Sequence, residues 1–225
     1  MKRRVVLSWS SGKDSAWSLH VLRSDPRYEV VALLTTITAE FDRVAMHGVR
    51  RELLEAQAGA ADLPLWKIEI PSPCSNEQYD AVMRAAVQRA VSEDIEVIAF
   101  GDLFLRDVRE YREDHLAGSG IEPLFPLWER PTDALAREMI DGGLRARLSC
   151  VDPRALAPGF AGREFDGALL NDLPDNVDPC GERGEFHTFA YAGPMFSHPI
   201  AIRTGETVER DGFVFTDLEP GSPQP

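Results

Sequence analysis

Three stretches of this chain concentrate residues that could do chemistry. The first is Ser10-Ser11-Gly12-Lys13-Asp14-Ser15, which places three hydroxyls, a glycine, a cation and a carboxylate in six residues. Small side chains let a polyphosphate approach the backbone. The hydroxyls and the free N–H groups of a helix start can donate to its oxygens, and Lys13 adds a point charge. One helix terminus stabilises an anion by only about 0.3–2 kcal/mol, so such a site needs several amides, Lys13 and a metal ion together. Asp14 suits a helix cap or a ligand that orients Mg²⁺. This is not the Walker A loop, because Asp14 follows Gly12-Lys13 and no glycine lies five residues before Gly12.

The second stretch is Gly101-Asp102, followed by Arg109 and Glu113. Gly101 permits close approach of backbone to a nucleotide, and Asp102 can bind Mg²⁺ or a ribose hydroxyl. Arg109 and Glu113 share a helix face, as a site pair or as a surface ion pair worth about 0.3–0.5 kcal/mol. The third stretch runs from Cys180 to Thr188 and packs Glu182, Glu185, His187 and two glycines into nine residues. Its carboxylates can hold a cation, ammonia or a metal, and His187 can move protons near neutral pH. The plainer alternative is a solvated polar turn. A metal site on Cys180 and His187 lacks a full ligand set. His47 stands alone and reads either as a substrate contact or as a packing or capping residue.

These residues must be positioned by regular elements. Residues 4–8 form a short apolar strand, and residues 14–23 a helix directly after the Ser/Gly loop. Residues 29–36 and 65–70 are strand runs, residues 48–61 and 76–93 amphipathic helices, and residues 96–100 a strand leading into Gly101-Asp102. Strand and helix alternating in this way argue for a parallel sheet covered by helices. Beyond about residue 152 the chain has more Gly, Pro and short β-prone pieces. Residues 199–203 and 212–216, separated by Gly205-Glu206-Thr207, read as a terminal β-hairpin. The expected division is a nucleotide-binding domain over residues 1–150 and a smaller substrate-binding α+β region over 151–225.

Composition narrows the partners. The net charge of −13 repels phosphate backbones and opposes general nucleic-acid binding. The three cysteines, Cys74, Cys150 and Cys180, are odd in number and widely spaced, so neither a disulfide framework nor a zinc ribbon is expected. No apolar run is long enough for a membrane span and no signal-peptide pattern opens the chain, which predicts a cytoplasmic protein. A homodimer is left open.

The loop Ser10–Ser15 resembles the PP-loop, S-G-G-x-D-S, of the N-type ATP pyrophosphatases, with Ser11 in place of the first glycine. Met46-His47-Gly48, Gln57-Ala58, Leu63-Pro64-Leu65, Gly101-Asp102-Leu103, Pro126-Leu127-Trp128, Cys180 to Thr188 and Gly193-Pro194-Met195-Phe196 resemble, in order, segments of its diphthine–ammonia ligase branch. The resemblance implies an α/β doubly wound parallel sheet of the adenine nucleotide α-hydrolase type. It implies ATP and Mg²⁺, held by Ser10, Ser11, Gly12, Lys13, Asp14, Ser15, Thr35, Gly101 and Asp102, with Asp14 and Asp102 as metal ligands. Lys13, Asp14, Glu182, Glu185 and His187 would be catalytic, and His47, Arg109, Glu113, Cys180 and Thr188 would contact substrate. The implied reaction adenylates a carboxylate, releases pyrophosphate and amidates the acyl group with ammonia. That branch usually carries Glu where His187 stands here, which leaves the acceptor open. Two other readings stand beside it: a nucleotide sensor without turnover, and a tRNA-modifying PP-loop enzyme, disfavoured by the acidic charge and the lack of a CxxC pair.

Overall fold

The computed structural model describes residues 1–38, 40, 43–44 and 48–222, the side chain of Asn76 excepted. His47 lies outside the described residues. The first of two sheets has strands β1 (Arg3–Ser8), β2 (Tyr28–Thr38), β3 (Arg43–Val44), β4 (Leu65–Ile70), β5 (Val97–Ala99) and β6 (Glu122–Leu124). Between them run α1 (Lys13–Ser24), α2 (Arg51–Ala60), α3 (Asn76–Ser92) and α4 (Arg106–Leu116). β1 pairs in parallel with β2 and with β5, β4 runs parallel to β2, and β6 parallel to β5. The short β3 is antiparallel to β2.

Val5, Val6 and Leu7 of β1 expose no surface, because helices or the second sheet cover both faces. That is why the strand reads as a continuous apolar run rather than an alternating one. The helix α3 starts on a capping box, in which Gln78 N donates to Ser75 Oγ and Ser75 N donates to Gln78 Oε1. Strand order reverses at β1: the chain adds β2 and β4 on one side, then returns to add β5 and β6 on the other. The carboxyl ends of β1 and β5 therefore open into a crevice where ligands bind in doubly wound sheets. The expected sheet is the one that forms.

The second sheet is antiparallel, in the order β8 (Phe186–Ala192), β7 (Arg145–Val151), β10 (Phe213–Pro220) and β9 (Ile202–Arg210). The helix α5 (Thr132–Asp141) precedes it, and α6 (Gly167–Asp172) lies between β7 and β8. A division after residue 150 falls inside β7. The terminal hairpin forms, but its turn is not at residues 205–207, which lie within β9. The chain turns instead at Asp211-Gly212, with φ of 52° and 79°. A two-residue hairpin loop needs positive φ at both central positions, and Asp-Gly supplies them. Thr207 stays extended opposite Thr216, their hydroxyls 2.9 Å apart.

One buried cluster joins the sheets: Leu7, Leu19 and Leu54 pack in the same core as Phe186, Phe189 and Met195. The junction also has a polar pin. Gln57 of α2 is fully buried, accepts from Trp9 Nε1 at 2.9 Å, and donates to Ser11 O at 2.9 Å and Ala190 O at 2.5 Å. Gln57→Leu leaves the Trp9 N–H and the Ala190 carbonyl buried and unpaired. At about 1–3 kcal/mol for each such group, the expected loss is about 3 kcal/mol in urea denaturation. A loss below about 0.5 kcal/mol, the usual scale of neutral surface changes, would show that the pin is dispensable. Among the described residues, no helix is long and apolar enough to cross a membrane.

Candidate active site

The loop after β1 enters α1 through Gly12, which caps the helix without a side-chain hydrogen bond. Asp14 is the second helical residue and does not cap, so the capping role expected for it is corrected. Ser11 takes φ of 69°, a left-handed conformation that costs a non-glycine residue roughly 1–2 kcal/mol. The second sheet holds it there: Ala190 N donates to Ser11 O at 2.9 Å, and Lys13 N donates to Thr188 Oγ1 at 3.0 Å. Ser15 Oγ donates to Gly12 O at 3.0 Å and lies 3.2 Å from Ser10 Oγ.

Gly101 ends the strand beside this loop. A Cβ there would stand 3.1 Å from both Asp14 C and Ser15 N, so the glycine lets β5 close against the first turn of α1. The third wall is the loop before β8. Buried Asp178 accepts from Cys180 N at 2.9 Å and from Thr132 Oγ1 at 2.6 Å. Buried Glu185 accepts from Asp178 N at 3.0 Å and Arg183 N at 2.9 Å. Gly181, with φ of 68°, completes the turn, since a Cβ would lie 2.8 Å from Phe186 O. Glu182 then reaches across to accept from Leu103 N at 2.7 Å and Phe104 N at 3.3 Å.

Together these segments enclose a cleft of about 240 Å³. Ten of the expected residues line it: Ser10, Lys13, Asp14, Ser15, Gly101, Asp102, Cys180, Glu182, His187 and Thr188. Ser11, Gly12, Thr35 and Glu185 do not. Ser11 and Thr35 are buried with hydroxyls that find no partner among the described residues, and Glu185 spends its oxygens inside the loop it shapes. Arg109 and Glu113 lie elsewhere, in a surface hollow with Trp128, paired at 2.7 Å as an i,i+4 bridge. The Arg109 guanidinium sits 4.8 Å from the Phe125 ring and 4.7 Å from the Trp128 ring. Arg112, which sequence reasoning passed over, lines the cleft instead. Nothing in a helix carrying Arg106, Arg109 and Arg112 marks which arginine will turn toward Asp102.

The electrostatics separate the roles. Lys13 is 2% exposed; its ammonium contacts Asp14 Oδ2 at 2.8 Å and the Cys180 carbonyl, and stands 5.6 and 5.5 Å from the rings of Phe165 and Phe186. Burial works against its charge, but Asp14, Cys180 and Glu182 together hold its pKa above the ordinary value. Burial raises Asp14, with Lys13 opposing. Burial also pushes Glu182 up to about 7, against the pull of the Leu103 and Phe104 amides. His187 is driven down to about 4 by burial and then by Lys13, so it stays neutral at pH 7. His187 therefore meets the cleft as an uncharged imidazole at neutral pH, while Glu182 is a cleft carboxyl whose value falls near 7. Burial lifts the Cys180 thiol well above its usual range, which keeps it from acting as a thiolate.

Residues 2–122 match the family model described as the diphthamide synthase N-terminal domain, and residues 131–219 the diphthamide synthase C-terminal domain. A diphthine–ammonia ligase of Danio rerio is 31% identical over 228 residues, spanning 91% of this chain and 88% of that protein. The Homo sapiens diphthine–ammonia ligase is 25% identical over 238 residues, covering 96% and 88%. The Schizosaccharomyces pombe diphthine–ammonia ligase is 26% identical over 220 residues; the match spans 89% of this chain and 36% of the yeast protein. With both family domains present in order and a relative at 31% identity across nearly the whole chain, the protein belongs to the diphthamide synthase family, the diphthine–ammonia ligase-like branch of the PP-loop ATP pyrophosphatases.

Proposed function

We propose that this chain is an ATP-dependent amide ligase that activates a carboxylate as its adenylate and amidates it with ammonia. One observation carries the reading. Residues 10–15, 101–102 and 180–188 converge on a single cleft at the carboxyl ends of β1 and β5. That cleft joins a phosphate-type loop to a carboxylate poised to titrate near pH 7. Ser10, Ser15 and the start of α1 would take the terminal phosphates. The acceptor oxygen attacks the α-phosphorus, the bond to the bridging oxygen breaks, and pyrophosphate leaves. Ammonia then attacks the acyl carbon, AMP leaves, and Glu182 accepts the proton that the new amide nitrogen sheds. His187, neutral at the cleft wall, can hydrogen-bond to substrate without adding charge.

Asp14 and Asp102 fit Mg²⁺. Among the described residues Asp14 keeps a buried carboxylate oxygen without a hydrogen bond, and Asp102 keeps one held only by Arg112 at 3.5 Å. No group of three or more His, Cys, Asp or Glu able to hold a metal occurs among the described residues. That suits an ion held by one or two carboxylates and the substrate's own phosphates. Bound there, the ion would neutralise charge on the leaving pyrophosphate. The relatives' names make a diphthine-type carboxylate the first acceptor to try. The test is turnover with ATP, ammonia and a panel of carboxylates that includes a diphthine-bearing protein. At steady turnover AMP and pyrophosphate should form in equal amounts, with AMP released only when both ammonia and acceptor are present and pyrophosphate limited to about one per enzyme when ammonia is left out. Formation of ADP and phosphate would overturn the reading.

A further inference from the structure

A reaction at the α-phosphorus needs a cation where negative charge develops. Two cationic side chains line the cleft among the described residues, Lys13 and Arg112. Lys13 is poorly placed for the task. Its ammonium is 2% exposed, bonded to Asp14 and to the Cys180 carbonyl, and bounded by the Phe165 and Phe186 rings. It ties the loop after β1 to the loop before β8.

Arg112 is placed differently. Its Nε is buried and makes no well-formed hydrogen bond among the described residues, and the facing Asp102 Oδ2 is likewise buried. The two atoms stand 3.5 Å apart, an ion pair just beyond hydrogen-bonding reach for a well-formed contact. The guanidinium lies 5.1 Å from the Phe100 ring, which supports its plane without using its donors. Both residues line the cleft, and among the described residues these two atoms are held by this long ion pair alone, a contact that a phosphate oxygen can displace. Arg112 follows β5, one strand over from the loop that would take the terminal phosphates. With the terminal phosphates on that loop, the phosphate left for Arg112 would be the one nearer the nucleoside.

We propose that Arg112 is a catalytic residue that binds the α-phosphate, giving up Asp102 for a phosphate oxygen when nucleotide enters. This rests on the nucleotide reading above. The guanidinium fork suits two phosphate oxygens at once and carries its charge at any working pH. Asp102, released, keeps its free oxygen toward the cleft.

The test is calorimetric titration of the full chain with AMP and, separately, with pyrophosphate. Wild type, Arg112→Ala and Arg112→Lys are compared, with thermal melts to confirm folding. AMP carries only the phosphate assigned to Arg112, and pyrophosphate stands in for the other two. Arg112→Ala should weaken AMP binding by roughly tenfold to a hundredfold, the range for a charge-assisted hydrogen bond. Pyrophosphate binding should hold within about twofold, and Arg112→Lys should recover part of the AMP loss, as a point charge without the fork does. Unchanged AMP affinity in Arg112→Ala, or equal weakening for AMP and pyrophosphate, would overturn the assignment. If Arg112→Ala does not fold, Arg112→Lys carries the test: AMP binding as tight as wild type would reject it. Wild type that binds neither ligand would reject the nucleotide site itself, a result distinct from failure at Arg112.

Discussion

Lys13→Met should lower folding stability by about 3 kcal/mol, the lower end of what removing one partner of a buried ion pair costs. The ammonium sits 2.8 Å from Asp14 Oδ2, with the lysine side chain 3% exposed and that of Asp14 26% exposed. Removing it strands the Asp14 carboxylate, whose other oxygen is already buried without a partner among the described residues. It also unties the Cys180 carbonyl from the loop after β1. The partial exposure of Asp14 is what keeps the figure at the low end, because water can still reach part of the stranded charge. Turnover should fall with stability, since both loops shape the cleft. A second change tests the cause. In Lys13→Met/Asp14→Asn no buried charge is left unpaired, so part of the lost stability should return even though activity does not. Urea denaturation of the three proteins measures this. A single variant as stable as wild type, inactive but firmly folded, would mean that the ammonium works on the ligand and not on the fold. A Lys13 substitution is accordingly a poor way to separate catalysis from folding in this protein, and Arg112 or Glu182 is the cleaner choice.

Glu182→Gln should remove a rising limb centred near pH 7 from the pH profile of turnover, measured at constant free ammonia. As a base, Glu182 must be ionised, and burial holds its pKa at about 7. Activity should therefore climb through neutrality in wild type and lie flat there in the variant, reduced by about a hundredfold or more at pH 8. The side-chain amide oxygen introduced by the substitution can still accept from Leu103 N, so the loop is expected to keep its place. Stability offers a separate readout. The folded-state pKa is raised above the ordinary carboxyl value of 4.5, so the folded protein binds this proton more tightly than the unfolded chain. Stability from this group is full below about 4.5 and is lost as pH rises through about 7. Asp14 and Asp102 are shifted in the same direction by burial, so the quantity that matters is wild type minus variant. That difference should shrink as pH rises from 5 to 8. A pH profile with the same limb in Glu182→Gln would assign the proton to another group.

Much of this was legible from local sequence. Residues 4–8, 29–36 and 65–70 announce themselves as buried strands because a strand covered on both faces needs apolar β-prone side chains without alternation. The loop from Ser10 to Ser15 declares its chemistry because small residues, a helix start and mixed charge are local properties of six neighbours. The hairpin is legible in the sequence, but the place of its turn is not. Gly205 offers one turn-forming residue, while the requirement for two positive φ angles in a row is met at Asp211-Gly212.

Direction and partnership were not legible, and tertiary structure alone decided them. Sequence determines that Lys13 follows Gly12 at the start of a helix; only the packing of β8 against α1 turns its ammonium inward to Asp14 and the Cys180 carbonyl. Sequence determines that Glu182 and Glu185 lie three apart in a glycine-containing loop. The fold makes one a buried brace of that loop and sends the other across to the amides after β5. His187 carries an ordinary imidazole whose protonation depends on how much water the surrounding walls exclude. Arg109 and Arg112 differ by less than one helical turn, and that rotation sends one to aromatic rings at the surface and the other into the cleft. Each of these outcomes depends on burial and on contacts between residues distant in the chain. Local pattern carries the chemistry available to this protein, and long-range packing assigns which group performs it.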